Sequence, residues 1–105
     1  MKKIYTFGHE QVERNITVGD MLANKKNNIK MTQITASNQE EAEIIASQNI
    51  DMIITGSDSY PDVRKGAPNT FITAALFAGR FITNEDILRG AFDVVMGGAD
   101  SVLTP

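Results

Sequence analysis

Asp62-Val63-Arg64-Lys65-Gly66-Ala67-Pro68-Asn69 runs directly into Thr70-Phe71-Ile72-Thr73-Ala74-Ala75-Leu76. The first stretch reads as the end of a helix. Gly66 supplies the left-handed residue that closes it, and Pro68 stops it continuing. The second is an apolar run with little alternation, the pattern of a parallel strand covered on both faces. A helix that stops and hands over to a buried strand makes the fold class α/β.

The same alternation extends on both sides of this junction. Ile4 to Phe7 reads as a short edge strand ended by Gly8. Thr17, with Asp20 three residues on, caps a helix from Val18 to about Lys26, which the Asn24–Asn28 cluster ends. Ile29 to Thr35 alternates as a strand does. Ser37 with Glu40 forms a capping box, and the helix after it is expected to bury Ala42, Ile45, Ala46 and Asn49, with Ile44 widening the stripe. Met52-Ile53-Ile54-Thr55 is a strand ending at Gly56. Thr83 and Asp86 repeat the capping signature ahead of a helix carrying Ile87, Leu88, Ala91, Val94 and Val95, which stops at Gly97-Gly98. Ser101-Val102-Leu103 begins one more strand.

This β-α-β-(short α)-β-α-β order is that of a parallel sheet with right-handed crossovers. Two architectures fit 105 residues. One is a partial (β/α)₈ barrel of the TIM type, since a whole barrel takes about 250 residues. The alternative is a small open doubly wound parallel sheet. A last strand without a following helix favours the partial barrel, whose open edges would pair with another copy or with a missing barrel half. The expectation is a single domain over residues 1–105, with 1–16 as an extension of unassigned structure.

Charge and composition narrow the function classes. Ten Lys and Arg against thirteen Asp and Glu give a net charge of −3, interspersed along the chain. No basic face is concentrated enough to neutralise phosphates, so nucleic acid is not an expected partner. Without Cys there is no disulfide, thiolate nucleophile or Cys-ligated zinc. Ile4-Tyr5-Thr6-Phe7 is too short for a signal-peptide core, and no stretch reaches membrane-spanning length. A soluble cytoplasmic chain is the expectation.

Several segments together carry a resemblance. They are Ile34-Thr35-Ala36, Ala42 to Ala46, Met52-Ile53-Ile54, Gly56-Ser57-Asp58-Ser59, Val63 to Asn69, and Gly98-Ala99-Asp100-Ser101-Val102. In order and spacing, from about Thr17 to Leu103, the chain resembles the N-terminal part of the ketopantoate hydroxymethyltransferase family. That family belongs to the phosphoenolpyruvate mutase/isocitrate lyase group of (β/α)₈ barrels. The Val63–Asn69 run is the most specific match, close to the family's Val-Arg-Arg-Gly-Ala-Pro-Asn. The resemblance implies Mg²⁺-dependent one-carbon transfer in pantothenate synthesis. There the metal holds a small α-keto acid, and methylene-tetrahydrofolate is the co-substrate. Mg²⁺ suits such work as a hard cation that polarises a keto oxygen.

Transferred residue by residue, the implied site is incomplete. The family has Gly-Asp-Ser after its second strand, where this chain has Gly56-Ser57-Asp58-Ser59. Ungapped, Ser57 takes the Asp position. With one inserted residue, which a loop absorbs cheaply, Asp58 becomes the metal ligand and Ser59 the substrate contact. A plain Asx or ST turn at a strand end is the competing reading. The family's second metal aspartate falls on Ala75, and its catalytic lysine on about Leu103, so no catalytic residue is assigned. The alternative to an active transferase is a non-catalytic diverged scaffold that binds a small carboxylate or a protein partner.

Other residues weigh less. Arg80 follows a strand, on the face where barrels keep their chemistry, and can grip a substrate carboxylate bidentately. Arg64 and Lys65 precede a strand, on the face associated with stability. His9 with Glu10 offers a metal ligand or base in a polar stretch. Glu40, Glu41 and Glu43 complement a helix dipole, and Asp93 lies on a polar helix face. Gly97-Gly98 lacks the spacing and following Lys of a phosphate loop. Thr55, Thr73 and Thr104 are pocket-lining candidates or simple β-formers.

Overall fold

A computed structural model describes residues 1–105. The elements are β1 (Lys2–Tyr5), β2 (Gln11–Arg14), α1 (Val18–Lys26), β3 (Gln33–Thr35), α2 (Gln39–Ala46), β4 (Met52–Gly56), α3 (Tyr60–Gly66), β5 (Phe71–Ala75), α4 (Asn84–Met96) and β6 (Ser101–Leu103). Strands β3 to β6 form one parallel sheet in the order β3-β4-β5-β6. Each strand is added beside its predecessor, without the reversal of order that creates a doubly wound sheet.

Register assigns every strand residue to a face. Ile34, Ile53, Ile72 and Thr55, Ala74, Val102 alternate with the other set and point one way. Ile53, Ile72 and Ala74 are fully buried there with Ala42 of α2, Val63 of α3 and Val94 of α4. All three connecting helices therefore cover that face, as right-handed crossovers in one direction require. The opposite face carries Thr35, Ile54, Gly56, Thr73, Ala75 and Leu103, and no helix covers it.

The junction from Asp62 to Leu76 is a helix passing into a buried strand, as its sequence predicts, but Gly66 acts differently. It is the last residue of α3, and among the glycines only Gly98 has positive φ, at +104°. Gly66 is needed for space: a Cβ there would lie 2.3 Å from the Gln39 carbonyl oxygen and 2.9 Å from the Ala42 Cβ. The missing side chain lets α3 approach α2 closely.

The capping boxes at Thr17/Asp20 and Thr83/Asp86 both form. The third is displaced by one residue. Asn38, not Ser37, caps α2 by accepting from the Glu41 amide, and the Glu41 carboxylate takes the Ser37 N–H. Ala42 and Ile45 are buried on α2, whereas Ile44, Ala46 and Asn49 are exposed. On α4 only Val94 is fully buried, and Leu88 is exposed. Gly97-Gly98 is the expected helix stop: Gly98 donates to the Val95 carbonyl and Ala99 to that of Val94, a Schellman closure.

Residues 1–16, unassigned from the sequence beyond one short edge strand, carry two strands. Strands β1 and β2 pair antiparallel through a turn in which His9 has φ +66°, so His9 and Glu10 serve a hairpin. The hairpin lies across the N-terminal ends of the sheet strands. The Asn15 side chain donates to the Asp51 carbonyl and accepts from the Phe71 amide. Arg14 is buried, and its Nε donates to both oxygens of Asp100 at 2.8 and 2.9 Å. No helix is long and apolar enough to cross a membrane.

Candidate functional site

The C-terminal ends of β4, β5 and β6 bring the resemblance-derived positions together. Gly56 pairs with Ala75, and Ala75 with Leu103, so the three stand in one row on the face without helices. Where that row would hold a carboxylate and an amine it holds a methyl and an isobutyl group. Phe77 lies over Gly56, whose absent Cβ would sit 2.7 Å from the Phe77 ring. Thr35, Ile54, Gly56, Ala75, Phe77 and Leu103 line an apolar pocket of about 220 Å³.

The segment after β4 forms a tight turn. Ser57 donates its amide to the Ala75 carbonyl, extending the ladder, and the Ser59 amide closes back onto the Gly56 carbonyl at 3.1 Å. The turn is closed by backbone alone, with no Asx or ST side-chain bond. Ser59 is the N-cap of α3 but makes no side-chain capping bond. Asp58 projects from the turn, and its carboxylate is ion-paired with Arg80, which arrives from the loop after β5. Both side chains are exposed, so the pair contributes little to stability.

A second, polar cleft of about 350 Å³ opens beside this ion pair, between the turn after β4 and the first turns of α4. Ser57, Asp58, Arg80 and Phe81 form one wall, and Asp86, Arg89, Gly90 and Asp93 the other. Phe81 packs on Gly90, where a Cβ would stand 2.4 Å from its ring. Asp86 is committed to the Thr83 capping box. Arg80 gives one guanidinium nitrogen to Asp58, while Arg89 makes no ion pair or hydrogen bond. Sequence reading passed over Arg89. Its signal was position: it lies one turn into α4, on the side facing the Arg80 loop.

No group of three or more His, Asp or Glu side chains is placed to hold a metal ion, although Mg²⁺ takes as few as one or two carboxylates when water completes its shell. Asp58, the expected ligand, is ion-paired with a guanidinium, and Gly56, two residues before it, has Ala75 and then Leu103 as its neighbours across the sheet. Thr55 does not line the pocket with its hydroxyl: Oγ1 is buried towards the helices with no hydrogen-bond partner.

Arg64 is occupied structurally. Its guanidinium reaches Asp100 at 2.8 Å, the Thr70 and Ala67 carbonyls at 2.6 and 3.1 Å, and the Tyr60 hydroxyl at 2.9 Å. It also lies 5.5 Å from the Tyr60 ring centroid, a cation–π distance. Comparison with protein-family models and with curated proteins found no match to this chain.

Proposed function

We propose that the chain is a partial (β/α)₈ barrel, a diverged scaffold of the ketopantoate hydroxymethyltransferase type, that binds a small α-keto acid or related carboxylate without a metal. The observation that carries this reading is the Asp58–Arg80 ion pair, formed by the loops after β4 and β5, in one cleft with Arg89. Barrel enzymes keep their chemistry at strand C-termini, and the one-directional order β3-β4-β5-β6 supports a barrel segment.

In this reading Arg89 and the free edge of Arg80 receive the carboxylate by charge-assisted hydrogen bonds. Ser57 supplies a hydroxyl at the turn, and Phe81 and Val94 of the same cleft face the alkyl end. The metal-dependent alternative is hydroxymethyl transfer from methylene-tetrahydrofolate, assisted by Mg²⁺ when it is bound. It would require Asp58 to leave Arg80 and another group to replace the ligand absent at Ala75.

Isothermal titration of the full chain with 2-ketoisovalerate, with and without Mg²⁺, tests this. Binding of equal strength in both conditions is expected, weakened about tenfold or more by Arg80→Ala or Arg89→Ala as charged hydrogen bonds are lost. Binding that appears only with Mg²⁺ would favour the transferase. No binding in either condition overturns the carboxylate site.

A further inference from the structure

We infer that the preferred ligand of the polar cleft is an α-amino acid with a large apolar side chain. The inference rests on the carboxylate reading of this cleft and names the class of carboxylate it selects. Arg89 and Asp93 line the cleft from α4, one helical turn apart. Helix residues at this spacing are neighbours, with Cβ atoms about 5–6 Å apart, and opposite charges there commonly pair. Neither forms an ion pair. The other two carboxylates of the cleft are engaged, Asp58 with Arg80 and Asp86 in the Thr83 capping box.

The cleft therefore holds one free cation and one free anion side by side. A zwitterion matches both. Its carboxylate meets Arg89 and the free edge of Arg80, and its ammonium meets Asp93, each by charge-assisted hydrogen bonds. A keto oxygen in place of the ammonium would face the Asp93 carboxylate as one acceptor against another, with no proton between them.

A second observation gives the side chain its place. A hollow of about 460 Å³ between α3 and α4 shares Ser57, Asp93 and Val94 with the cleft and continues past them to Tyr60, Pro61 and Gly97. Its remaining charge, Arg64, is already bonded to Asp100, the Thr70 carbonyl and the Tyr60 hydroxyl. The added Cβ of Gly97 would stand 3.8 Å from the Tyr60 ring, so the missing side chain keeps this hollow open. Arginines thus stand at one end and apolar surface at the other, with Asp93 on the boundary. Carboxylate, ammonium and side chain follow in the same order along an α-amino acid. An aromatic ring reaches the second hollow, and a methyl group does not.

Isothermal titration of the full chain with L-phenylalanine, phenylpyruvate and L-alanine tests this. L-Phenylalanine should bind about tenfold more tightly than phenylpyruvate, the worth of a charge-assisted hydrogen bond. It should also bind about tenfold more tightly than L-alanine, through the apolar area that its ring buries. Asp93→Asn should abolish the first preference. Gly97→Leu, which places a side chain in the hollow, should abolish the second. Asp93 is exposed and Gly97 has a helical φ of −76°, so both positions accept the change without backbone strain. Phenylpyruvate or L-alanine binding as tightly as L-phenylalanine to the unaltered chain overturns the inference, as does a folded variant that keeps its preference. The two readings fail separately. If phenylpyruvate and 2-ketoisovalerate bind and L-phenylalanine has no advantage, the amino acid alone is removed. If no carboxylate binds, the site itself is removed.

Discussion

Arg64 and Asp100, 36 residues apart in the chain, meet at 2.8 Å beneath the N-terminal ends of the sheet. Together with Arg14 they form a buried cluster. Asp100 also accepts the Ile72 amide at 3.0 Å. One carboxylate thus ties the hairpin, the end of α3, the start of β5 and the start of β6. Val63–Asn69 and Gly98–Val102 thereby fasten the scaffold on the face opposite the candidate site.

Asp100→Asn should be strongly destabilising. Arg14 and Asp100 are almost wholly buried, with side-chain exposures of 3% and 5%. Removing the charge leaves two guanidinium groups without their counter-ion, a loss of about 3–5 kcal/mol for a broken buried pair. Urea denaturation followed by circular dichroism reads this directly. A change below about 1 kcal/mol would mean that the cluster is solvated rather than buried.

Gly66→Ala isolates the close approach of α3 to α2. The added methyl meets backbone at 2.3 Å, which cannot yield as a side-chain tip would. A loss of about 1–3 kcal/mol is expected from overpacking. Gly79→Ala is the control, because nothing lies within 4 Å of its added Cβ. That change should be neutral or stabilising by about 0.4–1 kcal/mol through the unfolded chain. Equal thermal midpoints for the two variants would sink the argument.

The order of elements was legible because its signals are local. Thr17 with Asp20 and Thr83 with Asp86 each meet within one turn of backbone, so sequence spacing suffices. At α2 two cap formers, Ser37 and Asn38, precede two acids, Glu40 and Glu41, and spacing alone cannot break that tie. What stayed hidden depends on distant partners. Arg14 looks like a surface charge until Asp100, 86 residues later, comes to meet it. Leu88 fits an apolar stripe but faces outward, because only part of α4 touches the sheet.

The candidate site was legible in its parts and not in their relation. Asp58 and Arg80 stand out separately, each at a strand C-terminus. Their pairing across 22 residues, which makes Asp58 half of an ion pair, depends on two loops converging. Arg89 needed α4 to be placed beside the Arg80 loop before it joined the cleft.

Acid should loosen α1 before the sheet. The Asp20 carboxylate is held below its ordinary pKa first by the Lys2 ammonium and then by the Thr17 amide it caps. A carboxylate with a depressed folded-state value stabilises above its unfolded value, and that contribution disappears as pH falls through the folded one. Proton titration by NMR should find the Asp20 midpoint below that of a free aspartate, and Lys2→Ala should raise it. The Thr17 amide should exchange faster once the carboxylate is protonated. An unchanged midpoint in Lys2→Ala would show that the ammonium is not the main cause.

Thr55→Val should stabilise the fold. Thr55 is 2% exposed and its Oγ1 has no partner, so folding strips water from a hydroxyl and gives it nothing in return. A buried unsatisfied hydroxyl costs about 1–3 kcal/mol. Valine keeps the β-branched shape and the strand preference while removing the polar atom. A gain of about 1 kcal/mol in urea denaturation is therefore expected. Thr55→Ser supplies the contrast: it keeps the hydroxyl and opens a methyl-sized void, so it should lose stability. If valine is instead destabilising, the hydroxyl holds a buried water against the helix layer, and that water should appear as a slowly exchanging resonance lost in the variant.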